Sequence, residues 1–305
     1  MWLIFESHFF GNLKFLFHFW NFCFGVLTIS IFLVDIFQCF KVVVQGSEDD
    51  YFVIERLLSN RDFSKKLNLQ VFPQHHFIRK TENLNGWQIQ QALKIFATHN
   101  SSADGVVIID AKHVFLKKMT LEDYCFDGLY KMPVTTQAIH IGKNRGEAFM
   151  NCYKFFDLDW RNYIDKSLPT VTPFIFDTLI VRDLYRYVER KVSVDFESFF
   201  LSNLNIYTEF YFYGAYVNRL NALESIYVNV NNFNPIFWGG ENDVANQFQS
   251  LTRDGRIQSI GLHRRFIEMH RPGIMKNLIA PFLISLGVKE FKYWMADSSA
   301  KCSTG

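Results

Sequence analysis

Between Asn85 and Phe115 the chain passes from a helix-forming segment, through a short polar loop, into an unbroken run of β-branched residues. No other stretch restricts the fold as strongly. Asn85–His99 carries Trp87, Ile89, Leu93, Ile95 and Phe96 at helical spacing. Asn100–Gly105 is rich in Ser, Asp and Gly and reads as a loop. Val106-Val-Ile-Ile109 has no polar residue on either face, as a strand covered on both sides requires. This strand ends in a single acid, Asp110. In open α/β sheets ligands sit beyond the carboxyl ends of the parallel strands. Asp110 therefore stands where a carboxylate can hold a ribose hydroxyl or a divalent cation on a diphosphate. The same residue can equally cap the turn that follows.

The rest of the first half repeats the alternation. Trp2–Phe5 and Phe40–Gln45 read as strands, Gly46–Asp50 as a turn with helix-capping residues, Tyr51–Leu58 as a helix, and Leu67–Phe72 as a strand stopped by Pro73. Strand–helix alternation of this kind predicts an α/β fold with a mostly parallel sheet and right-handed crossovers. The second half is different. His140–Phe156 carries a polar turn at Gly142–Gly146, and Leu168–Pro173 marks a break. Phe174–Lys191, Phe196–Leu204 and Glu209–Leu220 read as helices, Asn229–Pro235 as a loop, and a strand is expected near Ser259. No repeat or low-complexity linker divides the chain. One domain over 1–295 is expected, with halves 1–135 and 136–295 and a small, polar, fraying tail at 296–305.

Composition removes some function classes. Nearly half of the 305 residues are hydrophobic, enough for a sizeable core. With 32 basic and 30 acidic residues there is no concentrated positive charge, so nucleic acid is not an expected partner. The five cysteines (Cys23, Cys39, Cys125, Cys152 and Cys302) are odd in number and never spaced C-x-x-C. This argues against a disulfide framework or structural zinc and for a reducing, cytoplasmic setting. Residues 15–34 contain no Asp, Glu, Lys or Arg, and twenty such residues are long enough to span a bilayer. The competing reading makes them the buried opening of the domain. The buried reading is taken here, with membrane association through 15–34 as its alternative.

Several segments share an order with one family. Gly86-Trp-Gln-Ile-Gln-Gln-Ala-Leu-Lys94, Asp104-Gly-Val-Val-Ile-Ile-Asp110 and Val114-Phe-Leu116 form its core; Thr172–Thr178 and Tyr207–Tyr216 follow, with a weaker match at Ser7–Lys14. Over Trp2–His263 this arrangement resembles a GT-A-like glycosyltransferase family of bacteria and phages, related to capsular-polysaccharide enzymes. The resemblance implies a GT-A-like sheet with a helical, acceptor-side C-terminal lobe. It also implies transfer of a sugar from a nucleotide-sugar donor to a glycan or other hydroxyl acceptor. It implies donor roles for Gln90, Gln91, Lys94, Asp110, His263 and Arg264 and acceptor roles for Thr172, Pro173 and Tyr213; beside these, Lys112 is a donor candidate and Trp238 an acceptor candidate on their own residues.

The residues themselves add to this. Gln90 and Lys94 are four apart and share a helix face. Glu209 follows Thr208, a candidate N-cap, so a helix dipole favours its charge whether or not it reacts. As a catalytic group beside Asp110 it would serve as general base or stabilise an oxocarbenium-like state. Tyr211, Tyr213 and Tyr216 offer faces for a sugar. Trp238–Asp243 reads as an acceptor lid or as a plain turn.

One departure matters. The family strand ends Asp-x-Asp, and the second acid holds Mn²⁺ or Mg²⁺; here the strand reads Asp110-Ala111-Lys112. A metal, if used, would fall to Asp110 and His263. His113 points away from Lys112 on a strand and is a poor candidate ligand. Either Lys112 meets the diphosphate directly, or the site is inactive and the protein is a sugar- or nucleotide-binding or assembly relative.

Overall fold

The run at 106–109 forms the centre of β4 (Gly105–Asp110), with Ile108 and Ile109 wholly enclosed. The computed structural model describes residues 2–6, 40–45, 48–59, 69–79, 81, 83–110, 112–117, 119–134, 144–238 and 244–263. The segments 7–14 and 15–34, Arg264 and the tail 296–305 lie outside them. By compactness the chain divides into two units, Met1–Asn232 and Phe233–Gly305, with the boundary inside the loop expected at Asn229–Pro235. No helix among the described residues is long and apolar enough to cross a membrane.

In the first unit, β1 (Trp2–Glu6) pairs in parallel with both β2 (Phe40–Gln45) and β4. β3 (Leu69–Pro73) adds in parallel outside β2, and β8 (Phe174–Asp177) adds antiparallel outside β4. Among the described residues the sheet is five-stranded, ordered β3-β2-β1-β4-β8. The chain thus builds β1, β2 and β3 to one side and returns to place β4 on the other. That reversal makes the junction of β1 and β4 a topological switch point, where a crevice opens at the carboxyl ends. Asp110, paired in register with Ile4, closes β4 at that junction. Pro73 sits at the end of an edge strand, where its missing N–H costs no ladder bond.

Two helices flank these strands. α1 (Glu48–Ser59) begins earlier than its expected start at Tyr51, with Glu48 and Asp49 exposed in its first turn. α2 (Gly86–His99) is held at its start by a capping box: the Asn85 side chain accepts from the Gln88 N–H, and the Gln88 side chain accepts from the Asn85 N–H. Gln45, at the end of β2, donates to the Gly86 carbonyl at 2.7 Å and ties this start to the carboxyl edge of the sheet.

The helix expected over Phe174–Lys191 is corrected at its beginning. Its first four residues are β8, and α4 (Thr178–Val192) starts only after them. Phe174, Ile175 and Phe176 are all buried, and β4 supplies a free edge for them, so tertiary pairing outweighs helical periodicity. Asp177 then caps α4 through the Ile180 N–H. The polar turn expected at Gly142–Gly146 is likewise corrected, since α3 (Asn144–Phe155) already runs through Asn144. α5 (Phe196–Ser202) and α6 (Glu209–Arg219) follow close to their expected positions.

α6 is buried on every side from Glu209 to Asn218. Phe210 stacks on Phe174 at 4.4 Å and Tyr213 meets Phe176 edge-on at 4.8 Å. After the short strand β5 (His113–Phe115), a small hairpin, β6 (Cys125–Phe126) and β7 (Leu129–Met132), turns through Asp127 and Gly128, both at positive φ. Asp-Gly is the residue pair that such a two-residue turn favours, yet this hairpin was not anticipated. β7 pairs in parallel with β9 (Tyr227–Asn229), which follows the single-turn α7 (Leu223–Ile226). In the second unit β10 (Ile236–Phe237) pairs in parallel with β11 (Ser259–Leu262), and α8 (Val244–Arg253) lies between them in sequence.

Tyr213 was expected at the acceptor; it is instead core. The residue is fully buried, its hydroxyl accepts from the Asp177 N–H at 3.1 Å, and it lies 2.7 Å from the Tyr227 hydroxyl. The Tyr227 hydroxyl in turn donates to the Ile175 carbonyl. Tyr213→Phe should lower the free energy of unfolding by about 1–3 kcal/mol, since it leaves buried partners unmet. A urea titration measures this, and an unchanged midpoint would contradict the role given to the hydroxyl.

Candidate active site

Four side chains from distant parts of the sequence meet beside the carboxyl end of β4. Lys94, on the third turn of α2, points its Nζ to Glu209 Oε1 at 3.0 Å and to Asp110 Oδ1 at 3.4 Å. Lys112, in the turn after β4, reaches the other oxygen, Asp110 Oδ2, at 2.8 Å. Two ammonium groups and two carboxylates therefore form one chain: Glu209, Lys94, Asp110, Lys112.

The four differ sharply in access. The side chains of Glu209 and Lys94 are 1% and 5% exposed, whereas those of Asp110 and Lys112 are 16% and 24% exposed. The network thus has a buried anchor and an open end. The anchor is supported from α6. Glu209 sits in the first turn, where the helix dipole favours its charge, and its N–H donates to Gln91 Oε1 at 3.4 Å. The Lys94 ammonium also lies 4.8 Å from the Phe210 ring centre.

Charge and burial act against each other throughout. Burial alone would lower the pKa of Lys94, but Asp110 and Glu209 outweigh it and hold the ammonium above its usual value. Burial likewise disfavours the charge on Asp110, but Lys112 and Lys94 hold that carboxyl well below the usual range. For Glu209 burial dominates and raises the pKa; its second oxygen, Oε2, is enclosed with no hydrogen-bond partner among the described residues.

A second set of contacts fixes the backbone. The Asp110 N–H donates to Thr172 Oγ1 at 3.3 Å, and that hydroxyl lies 3.0 Å from His113 Nε2. Which of the two atoms donates in that contact is set by the imidazole tautomer. Burial, with Lys112 nearby, pushes His113 down to about 3 and keeps it neutral.

Of the residues expected at the donor, Lys94, Asp110 and Lys112 are brought together here, and Gln91 joins them through Glu209. Gln90, expected to share a helix face with Lys94, is half-buried, and Gln91, three residues before Lys94, shares the contact to Glu209. Two further expectations need correction. Glu209 is too enclosed to meet an acceptor hydroxyl as it stands, because its side chain is 1% exposed and Oε1 is bound by Lys94. Thr172 is 1% exposed and braces the Asp110 backbone instead of facing an acceptor. Pro173, half-buried, follows it across a cis peptide bond. His113 is a packing and bracing residue. His263 and Trp238 belong to the second unit, where their rings lie 4.7 Å apart and Trp238 is 38% exposed. Arg264 lies outside the described residues. Phe210 is the contact that sequence reasoning missed; its position directly after Glu209 was the available signal.

The donor set does not suit a divalent cation. A hard cation needs several oxygen ligands. Asp110 offers two oxygens, and each already faces an ammonium group that would repel the metal. Among the described residues no group of three or more His, Cys, Asp or Glu is arranged to hold a metal ion.

Two outcomes follow from this geometry. Lys94→Met leaves the buried Glu209 carboxylate without its ammonium partner, while Asp110 keeps Lys112, and should cost about 3–5 kcal/mol of stability, measurable by denaturant unfolding; a loss within experimental error would contradict the anchor. His113 binds its proton more weakly in the folded chain than in the unfolded one. Between about pH 6.5 and 3 only the unfolded chain takes up that proton, so stability falls as pH drops, at up to about 1.4 kcal/mol per unit. Asp110 contributes only below the usual carboxylate range, but Glu209, raised by burial, and His99, lowered by burial, also change protonation in this window, so the His113 share is read from the difference between two proteins. His113→Gln should flatten the decline in melting temperature between pH 6.5 and 4.5; an equal slope in both proteins would contradict an enclosed, neutral imidazole.

Comparison with known proteins places this site in context. A comparison with curated proteins finds no match. Among solved structures, the galactosyltransferase LgtC in complex with donor and acceptor sugar analogues aligns over 94% of this chain and 95% of its own, at 12% identity and a TM-score of 0.50. Mouse xyloside xylosyltransferase 1 in its apo form aligns over 85% and 96%, at 11% identity and a TM-score of 0.38. The bifunctional glycosyltransferase WbbM, also apo, aligns over 85% of this chain and 45% of its own, at 14% identity and a TM-score of 0.43. The fold assignment rests on the first; at such identity it carries the fold and none of the chemistry. A family profile described as "Family of unknown function (DUF6492)" matches residues 28–248, well over half of the sequence. The chain therefore belongs to the DUF6492 family, and its α/β architecture is that of the GT-A glycosyltransferases.

Proposed function

We propose that this protein is a glycosyltransferase that moves a sugar from a nucleotide-sugar donor to a glycan or other hydroxyl acceptor. The observation that carries the reading is the position of Asp110: a carboxylate with an open side, on a buried ionic anchor, at the switch point of a GT-A sheet. Glycosyl transfer asks the protein to orient the donor, balance the charge of the departing diphosphate and present an acceptor hydroxyl. Asp110 is suited to accept a hydrogen bond from a ribose or sugar hydroxyl. Lys94 and Glu209 are positioning residues that hold its carboxylate in place. Gln90, half-buried on the same helix, is a further donor-side candidate. In the second unit the exposed indole of Trp238 offers a face on which a sugar can stack. LgtC, whose fold this chain shares, holds donor and acceptor sugar analogues, which supports sugar-type ligands by analogy. A capsular or other surface polysaccharide is the acceptor class that the sequence resemblance favours.

A second reading is supported by one observation. Asp110 is already paired with a lysine at the place of the second acid, which fits a relative that binds sugar or nucleotide without transferring it. Calorimetric titration with UDP-, GDP- and CMP-sugars separates the alternatives. At least one donor should give heat, and Asp110→Asn should weaken that binding by about tenfold or more. No heat from any donor would reject the transferase reading; binding without turnover across a panel of glycan acceptors would favour the second.

A further inference from the structure

We infer that Lys112 is the counter-charge for the donor's diphosphate, in the place a divalent cation would take, and that it reaches the diphosphate by leaving Asp110, whose charge Lys94 continues to balance. The inference rests on the donor reading above and adds how the anion is held.

The two lysines on Asp110 are not equivalent. Each takes a different oxygen, Lys94 at Oδ1 and Lys112 at Oδ2. Lys94 is fixed on three sides, by Glu209, by Asp110 and by the Phe210 ring, and its side chain is 5% exposed. Lys112 stands in a turn and, at 24% exposed, is the most accessible of the four side chains in the network. One ammonium is structural and the other can change partners.

That difference removes the usual penalty of breaking an ion pair. If Lys112 were the sole partner, its departure would leave a mostly enclosed carboxylate uncompensated, at a prohibitive cost. Here Lys94 stays on Oδ1. Lys112 exchanges one carboxylate for a diphosphate, which carries more negative charge and more acceptor oxygens, in a charge-assisted contact of the same kind. The same movement frees Asp110 Oδ2 to accept from a donor hydroxyl. Binding the anion and exposing the hydroxyl acceptor thus become one event. A divalent cation has no place in this arrangement, because it would have to displace Lys112 and then sit beside Lys94.

The test uses the full-length protein and the uridine, guanosine, thymidine and adenosine diphosphates as probes, titrated calorimetrically in EDTA and again in Mn²⁺. At least one should bind with affinities in the two buffers agreeing to about twofold. Lys112→Ala should weaken binding by about tenfold or more, and Lys112→Arg should largely restore it. Thermal melts of each variant separate lost binding from lost folding, and the arginine variant keeps the test decisive if the alanine variant unfolds. Binding that requires Mn²⁺ and ignores Lys112→Ala would overturn the inference and leave the donor reading standing. No binding of any diphosphate in either buffer would overturn both.

Discussion

A lysine ammonium buried inside an α/β domain is the constraint around which the first unit is organised. Lys94 is nine-tenths or more enclosed, and a charge so placed persists only with partners in good geometry. Its partners come from the end of β4 and the start of α6, separated by about a hundred residues of chain. The ion pair therefore couples a parallel sheet to a helix of the second half. Glu209, at the first position of α6, is the charged group that this helix brings to that junction.

The parts of this fold that were readable from sequence are those where local pattern and tertiary setting agree. Val106–Ile109 could only be a doubly covered strand, and Asn85 with Gln88 is a capping box in sequence as in space. Where the two levels disagree, the reading failed. Phe174–Asp177 has residues that continue a helical pattern, but an open sheet edge at β4 claims them. The Asp-Gly turn at 127–128 was legible from its residues alone and was overlooked because no long strand flanks it.

The site shows the same division more sharply. Residue type identified Lys94, Asp110, Lys112 and Glu209 as chemically interesting, and they do converge. Their roles depend on which of them water can reach, and spacing carries no information about that. Glu209, Thr172 and Tyr213 look like acceptor-facing groups in a one-dimensional reading. In three dimensions all three point inward, to a lysine, a backbone amide and a tyrosine network respectively. Aromatic rings packed around α6 are what enclose Glu209 and Tyr213.

Asp177 does three jobs at one position. It is in register with Gly105 on β4, it caps α4, and its N–H is bound by the Tyr213 hydroxyl. Five residues earlier on the same short stretch, Thr172 holds the backbone of Asp110. The chain between these two points works as a ruler of fixed length, clamped at both ends. An inserted or deleted residue there would invert the inward-facing phenylalanines and move the Asp110 brace together, so length tolerance along this protein should be at its lowest between Thr172 and Asp177.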